Sequence, residues 1–362
     1  MNNYKVPELP FNIDLETKAI LKKAAKAHAA LAELKGAAAA IPNETILINT
    51  LSLQEAKDSS AIENIITTQD ELYKGDAFAW QFTSTAAKEV HHYANALRRG
   101  FESIKKKELL TNKQVLEIQS IIEENKAGFR KLPGTALKNE RTNEMVYTPP
   151  QHADGIISLM NNLEKFINDD TLCDWDPLVK MAVIHHQFES IHPFYDGNGR
   201  VGRIINILYL VKEGLLRIPI LYLSRYINQN KGEYYRLLQK VRSDNKWHDW
   251  VMFILDGIEK TSIQTVRLIG DIKSTMQRHK QKLRNELPKI YSQDLLNYIF
   301  KHPYTKIDFI IEDLNVSRPT ATRYLDELVK IGVLSKQKLG RDSYYINTDL
   351  FNLLGNTGNE KR

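Results

Sequence analysis

The sequence predicts a mainly α protein that ends in a small winged helix-turn-helix domain. Apolar residues recur mostly at three- and four-residue spacing along the chain, which is the period of amphipathic helices. One stretch, Gly128–Pro150, instead sets two glycines and three prolines around a polar turn between short extended runs, and predicts a surface β-hairpin. The last hundred residues switch to three short helical patterns followed by two alternating runs.

The elements follow in order. Leu15–Gly36 is rich in Ala, Leu and Lys and is expected to stop at Gly36 as its C-terminal cap. Thr50–Gly75 reads as one or two helices around a serine pair, Ser59 and Ser60. "TSTAAKEVHHYANALRRGFESI" continues the pattern, and "TNKQVLEIQSIIEEN" starts on the capping signature of Thr111 with Gln114 three residues on. Asp176 and Pro177 open the helix that runs to Ile191. "RIINILYLVKEGLL" is apolar enough for a central buried helix. Near the end, "SQDLLNYIFKHP", "KIDFIIEDLNV" and "SRPTATRYLDELVKIG" give three short helices, and "VLSKQKLGRDSYYIN" gives the hairpin wing. The expected division is an N-terminal helical region (1–105), a catalytic core (106–257), a connector helix (258–287) and the winged helix (288–362).

Composition narrows the class. A chain of 362 residues with 42% hydrophobic content can bury two or three cores. A single cysteine, Cys173, excludes an internal disulfide framework and fits a reducing, cytoplasmic setting. No basic patch followed by an apolar run opens the sequence, and no eighteen-residue apolar run exists, so neither a signal peptide nor a membrane span is expected. The net charge of +6 sits wholly in the last hundred or so residues, Thr261 to Arg362, with 17 Lys/Arg against 11 Asp/Glu. An acidic partner there is one implication.

The chemistry concentrates in "HPFYDGNGRVGR", His192 to Arg203. Pro193 ends the preceding helix and biases His192 away from the helical region. Phe194 anchors the loop. Gly197 and Gly199 let main-chain N–H groups approach an anion, and the next helix offers its unpaired first-turn donors. Arg200 and Arg203 stand three apart on that turn, a spacing suited to a di- or triphosphate. Asn198 adds a donor. Asp196 is tolerable beside phosphate only if it holds a cation such as Mg²⁺. His192 then stands where it can take a proton from an incoming hydroxyl. No serine or cysteine nucleophile adjoins it, and no P-loop pattern occurs, so the pieces imply nucleotidyl or phosphoryl transfer directly to a hydroxyl. His185 and His186 are adjacent on a helix, point about 100° apart and are read as packing groups rather than metal ligands.

This stretch resembles the signature H-P-F-x-[DE]-G-N-G-R-x-x-R of Fic-domain enzymes, with every fixed position matched. The resemblance implies a Fic-fold helical bundle with a β-hairpin flap. It also implies transfer of AMP from ATP to a Ser, Thr or Tyr hydroxyl of a target protein, with self-modification as a variant. His192 would be the general base and Asp196 the Mg²⁺ ligand. Gly197, Asn198, Gly199 and Arg200 would form the anion hole, and Arg203 would grip the γ-phosphate. "SSAIEN" matches the family's inhibitory pattern [ST]-x-x-x-E-[GN] through Ser59, Glu63 and Asn64, which implies that Glu63 pairs with Arg203. "NEMVYTPP" resembles the flap that aligns the target by strand addition, so Met145, Val146 and Tyr147 would border nucleotide and target. "EYYRLLQKVR" resembles the stretch beside the adenosine and nominates Tyr234 and Arg242. The N-terminal helices and winged helix resemble those of larger bacterial members, which leaves a homodimer open.

In the winged helix, Arg318, Thr320, Thr322 and Arg323 on the recognition helix and Lys336, Lys338 and Arg341 on the wing are candidate DNA contacts. Two alternatives stand beside the AMP-transfer reading. One is a DNA-binding regulator that uses the Fic core as a sensor. The other is an enzyme that removes AMP, with Glu63 orienting the water.

Overall fold

The computed structural model describes residues 4–77, 84–138, 142–339 and 342–356. In chain order the elements are α1 (Lys18–Ala39), α2 (Glu44–Ile62), α3 (Gln69–Ala77), α4 (Thr85–Lys107), α5 (Asn112–Ile122), β1 (Leu137–Lys138), β2 (Met145–Tyr147), α6 (Ala153–Asn168), α7 (Pro177–Ile191), α8 (Asn198–Lys212), α9 (Leu223–Gln229), α10 (Lys231–Asp244) and α11 (Trp247–Glu286). The C-terminal unit adds α12 (Gln293–Lys301), β3 (Tyr304–Thr305), α13 (Ile307–Leu314), α14 (Arg318–Lys330), β4 (Ser335–Leu339), β5 (Asp342–Ile346) and α15 (Thr348–Asn356). No helix among the described residues is long and apolar enough to cross a membrane.

Local chemistry sets the helix ends. The Thr17 hydroxyl accepts from the Ile20 amide, and the Asn43 side chain accepts from the Thr45 amide at 2.9 Å. Gln114 accepts from the Thr111 amide at 2.7 Å, the reciprocal half of a capping box. Asp176 accepts from the Leu178 amide at 2.8 Å, with Pro177 in the first turn. The expected stop at Gly36 does not occur. Helix α1 continues to Ala39, because the alanines after Gly36 are the strongest helix formers and Pro42 supplies the break. Thr50–Gly75 divides in two: Asn64 takes the left-handed conformation (φ 62°) just after α2 and ends it at Glu63.

Helices α7 and α8 form the centre. Every residue of α7 from Leu178 to Ile191 is buried, and α8 is buried from Val201 to Leu210. Around this pair pack α4, α5, α6 and α11. Helix α2 lies against α4 and α9, and its far side meets α12 of the C-terminal unit. The antiparallel pair β1–β2, in the register Leu137↔Tyr147 and Lys138↔Met145, is the expected hairpin. The C-terminal sheet has the order β3-β5-β4, and in the same unit α13 packs on α12 and α14. Helix α11 is one continuous element of 40 residues. It packs along α1 and buries Leu268, Ile269, Ile272, Met276 and Leu283 along the segment expected to be a polar connector.

Candidate active site

The signature loop closes between the end of α7 and the start of α8. His192 caps α7 in the left-handed region (φ 49°, ψ 60°), with its amide donating to Phe188 O at 2.9 Å. Such a conformation is uncommon for a residue with a side chain, so its surroundings must impose it. Phe194 supplies one constraint. It is fully buried between Phe129 and Phe188, with ring centroids at 5.4 and 6.3 Å. Asn198 supplies another. Its Oδ1 accepts from the Phe194 amide and its Nδ2 donates to Phe194 O, both at 2.8 Å. The buried carboxamide therefore staples the loop.

The two glycines have separate physical reasons. Gly197 caps α8 at φ 80°, and a Cβ there would lie 2.6 Å from Glu123 Oε1. A Cβ on Gly199 would collide with Glu63 Oε1 and sit 2.9 Å from Arg203 Nη1. The Glu63 carboxylate thus occupies the concavity at the α8 N-terminus, where unpaired N–H donors and the positive helix end favour an anion.

Arg203 is buried and held by α2. Its Nε donates to Ser59 Oγ at 2.8 Å, and its Nη2 donates to Ser59 O at 3.0 Å and Glu63 Oε1 at 2.8 Å. Burial works against ionising Glu63, but the charge and hydrogen bond of Arg203 outweigh it and hold the carboxyl below its usual range. Arg200, read from sequence as a second phosphate clamp, pairs with two carboxylates. Its Nη1 donates to Glu89 at 2.9 Å and its Nη2 to Glu123 at 2.7 Å. Neither acid was singled out in the sequence, because α4 and α5 bring them in from distant positions.

Burial, and then the guanidiniums of Arg242 and Arg130, push the His192 imidazole down to about 4, so it is neutral at physiological pH. Asp196 is exposed, with Oδ1 accepting from the Gly197 amide at 2.7 Å. Glu189 is buried, and burial pushes its carboxyl up to about 7; its Oε1 has no hydrogen-bond partner.

The flap and adenosine nominations divide. Met145 and Val146 are exposed on β2, beside a groove of about 1290 Å³ whose other wall includes Tyr4, Val6 and Gln239. Tyr147 turns inward: its hydroxyl donates to Ser190 O at 2.8 Å, and the Arg242 guanidinium lies 4.0 Å from its ring centroid. Tyr234, nominated for adenosine, lies in the core with its hydroxyl 2.9 Å from His185 Nε2; Tyr235 is the exposed ring. Arg242 is buried too, donating to Ser190 Oγ and Glu189 O at 3.1 Å. His185 stacks on Trp250 and His186 meets Trp247 edge-on, as packing groups do. Among the described residues no cluster of three or more His, Cys, Asp or Glu could hold a metal.

In the C-terminal unit, Arg318 pairs with Asp308, and Lys336 pairs with Asp326 at 2.9 Å. The Thr322 hydroxyl donates to Arg318 O, and Thr320 meets Ser317. Arg323 and Lys338 are exposed, and Arg341 lies outside the described residues.

Three segments of the chain match models of known families. Residues 21–102 match the family model "Fic/DOC family N-terminal", and residues 109–210 match "Fic/DOC family". Residues 275–350 match "Protein adenylyltransferase SoFic-like, C-terminal domain". A curated relative named protein adenylyltransferase Fic, from Aedes aegypti, is 28% identical over 158 residues, which is 44% of this chain and 30% of that protein. The Drosophila melanogaster protein of the same name is 30% identical over 115 residues, 32% of this chain and 22% of its own length. The chain thus spans less than a third of either relative. Among solved structures, a Fic family protein from Desulfovibrio desulfuricans shares the fold at a TM-score of 0.58 and 20% identity, covering 93% of this chain and 97% of the other. Fic-1 from C. elegans superposes at a TM-score of 0.53 and 15% identity over 68% of this chain and 71% of its own. With its N-terminal, core and C-terminal segments each matched in order around a complete signature loop, the chain belongs to the Fic/DOC family.

Proposed function

We propose that this protein transfers AMP from ATP to a Ser, Thr or Tyr hydroxyl of a target protein, and that its own α2 restrains the reaction. One observation carries the reading. A neutral imidazole, His192, adjoins a glycine-lined cradle in which Arg203, the residue suited to a terminal phosphate, is paired with Glu63.

In this mechanism His192 takes the proton of the acceptor hydroxyl as that oxygen attacks the α-phosphorus. The new P–O bond forms while the bond to the β-phosphate's bridging oxygen breaks, and pyrophosphate leaves with the electron pair. Main-chain donors at Gly197 to Arg200 hold the α- and β-phosphates in line. Asp196 suits Mg²⁺. It is one exposed carboxylate beside the cradle, and an ion there would draw its other ligands from phosphate and water. Bound Mg²⁺ would neutralise charge on the phosphates.

Inhibition has a simple electrostatic basis. While Glu63 holds Arg203 and fills the space over Gly199, a γ-phosphate meets a carboxylate where it needs a cation. ATP can then settle only with its α-phosphate out of line.

The test is mass spectrometry of the Glu63→Gly protein after incubation with ATP and cell lysate. A Ser, Thr or Tyr carrying one added AMP is expected on another protein or on the chain itself. Phosphate in place of AMP, or no modification with ATP and Mg²⁺ present, would remove the reading.

A further inference from the structure

We propose that Arg130 is a positioning residue for this transfer: it locks the main chain of His192 and the base of the flap into one rigid unit. The inference rests on the adenylyl-transfer reading and adds to it a residue outside the signature.

Arg130 lies in the irregular connection between α5 and β1, a place where arginine is normally exposed. Here it is only 1% exposed. Its amide donates to Pro193 O at 2.8 Å and its Nε to His192 O at 2.8 Å. Its Nη2 donates to Pro150 O, and to Ile191 O at 3.4 Å. Three of these acceptors belong to the exit of α7, and the fourth closes the flap.

The end of a helix explains the choice of residue. The last carbonyls of α7 have no partner within the helix and carry its negative pole, so buried carbonyls there need donors, and cations suit them. Five consecutive carbonyls are served from outside. Arg242 takes Glu189 O, the Tyr147 hydroxyl takes Ser190 O, and Arg130 takes those of Ile191, His192 and Pro193. The left-handed geometry of His192 is thereby fixed by three separate segments. Arg130 alone among them reaches both the histidine and the flap.

No carboxylate pairs with Arg130 among the described residues, and its Nη1 is buried with no partner. Burying a guanidinium without a counter-ion is costly, so a residue that merely filled this space would be apolar. The unneutralised charge has a second effect. Burial is the first cause of the lowered imidazole pKa, and the charges of Arg242 from α10 and Arg130 from the α5–β1 connection add to it, opposed by Glu63 from α2. Tyr147 of β2 and Tyr195 act on Arg130, and Tyr147, Glu189 of α7, Tyr4 and Tyr234 of α10 on Arg242. The net positive field helps to keep the base unprotonated.

The test uses the full chain in the Glu63→Gly background. Arg130→Lys keeps the charge but not the fork, and Arg130→Met loses both. Both variants should lose about tenfold to a hundredfold in kcat for AMP transfer while KM for ATP stays within about twofold. The acid limb of the rate should move toward the ordinary imidazole value of about 6.5 in Arg130→Met and stay put in Arg130→Lys. Unchanged kcat in both variants overturns the proposal. So does a parallel loss of kcat and of calorimetric ATP affinity, which would mean that Arg130 only supports the fold. If Arg130→Met does not fold, the Arg130→Lys comparison of kcat with ATP affinity decides the matter. Failure of the parent Glu63→Gly protein to transfer AMP would instead sink the adenylyl-transfer reading itself, and the two outcomes are thus separable.

Discussion

Glu63 and Arg203 lie 140 residues apart in sequence and share an ion pair at 2.8 Å, with the Glu63 carboxylate pressed against Gly199. The contact joins α2 to the first turn of α8, so the element that would restrain the site also completes its packing. Replacing Glu63 by Gly removes the competitor for phosphate and leaves Arg203 buried without its counter-ion. AMP transfer is expected to rise by at least about tenfold, the equivalent of one weak charged hydrogen bond. The ATP-free protein should also lose about 1–3 kcal/mol of stability. Because ATP binds only the folded state, it should return that loss. Thermal unfolding with and without ATP·Mg²⁺ checks both halves. A variant that is less stable but gains nothing from ATP would contradict an anion cradle at Arg203.

The pH dependence follows from two depressed groups. The Glu63 carboxyl is held below its usual range, so the pair is complete above about pH 4.5 and is lost only as pH falls through the lowered value. Release by mild acid is therefore not expected. The His192 imidazole titrates near 4, so the base is neutral throughout the physiological range. The rate of Glu63→Gly should be flat from about pH 8 down to about pH 5, with no break at the ordinary imidazole value of about 6.5. His192→Ala should transfer no AMP at any pH while unfolding at a temperature close to that of its parent. A rate that halves near pH 6.5 would mean that the imidazole is more solvated than its buried position implies.

Much of this site was legible before any coordinates. The signature loop and the hairpin rest on short-range patterns, in which residue type and spacing carry the physics, whereas the Glu63–Arg203 pairing was implied only by the resemblance of "SSAIEN" to the family's inhibitory pattern. What escaped were relations between distant segments. Arg130 and Glu123 gave no local signal, since each acquires its role from what α7 and α8 place beside it. Asn198 and Arg200 were assigned from their type, their place in the loop and the signature, and Tyr234 from the resemblance of its stretch to one beside the adenosine. In the structure Asn198 closes the loop, Arg200 pairs with Glu89 and Glu123, and Tyr234 bonds His185 in the core. The end of α1 was misplaced because one glycine was weighed without the alanines that follow it.

Gly199→Ala separates the two roles of the cradle. The helix accepts alanine at this backbone position, so the cost is steric: the new methyl would collide with Glu63 Oε1 and crowd Arg203 Nη1. The substitution should push Glu63 away and also narrow the space a phosphate needs. No gain in AMP transfer is expected in the otherwise unaltered protein. In the Glu63→Gly background a loss of about tenfold or more is expected, with a weaker ATP affinity. If Gly199→Ala instead activates the protein as Glu63→Gly does, then phosphate does not approach Gly199 and the cradle has been misplaced.

Glu189 offers a test by stability. It lies buried near Arg203 and Arg242, and burial raises its carboxyl to about 7. The folded protein therefore keeps a proton that the unfolded chain releases above about pH 4.5. Its contribution to stability is fully present below that pH and is lost as pH rises through 7. Two histidines act in the opposite sense. His192 near 4 and His185 near 3 resist protonation in the folded state, so they cost stability as pH falls below about 6.5. Glu189→Gln removes only the first effect and preserves shape. At pH 5 the variant and its parent should unfold at similar temperatures; at pH 8 the variant should be more stable by several degrees. Parallel curves across that range would show that Glu189 ionises freely when folded, and that Arg203 and Arg242 compensate its burial in full.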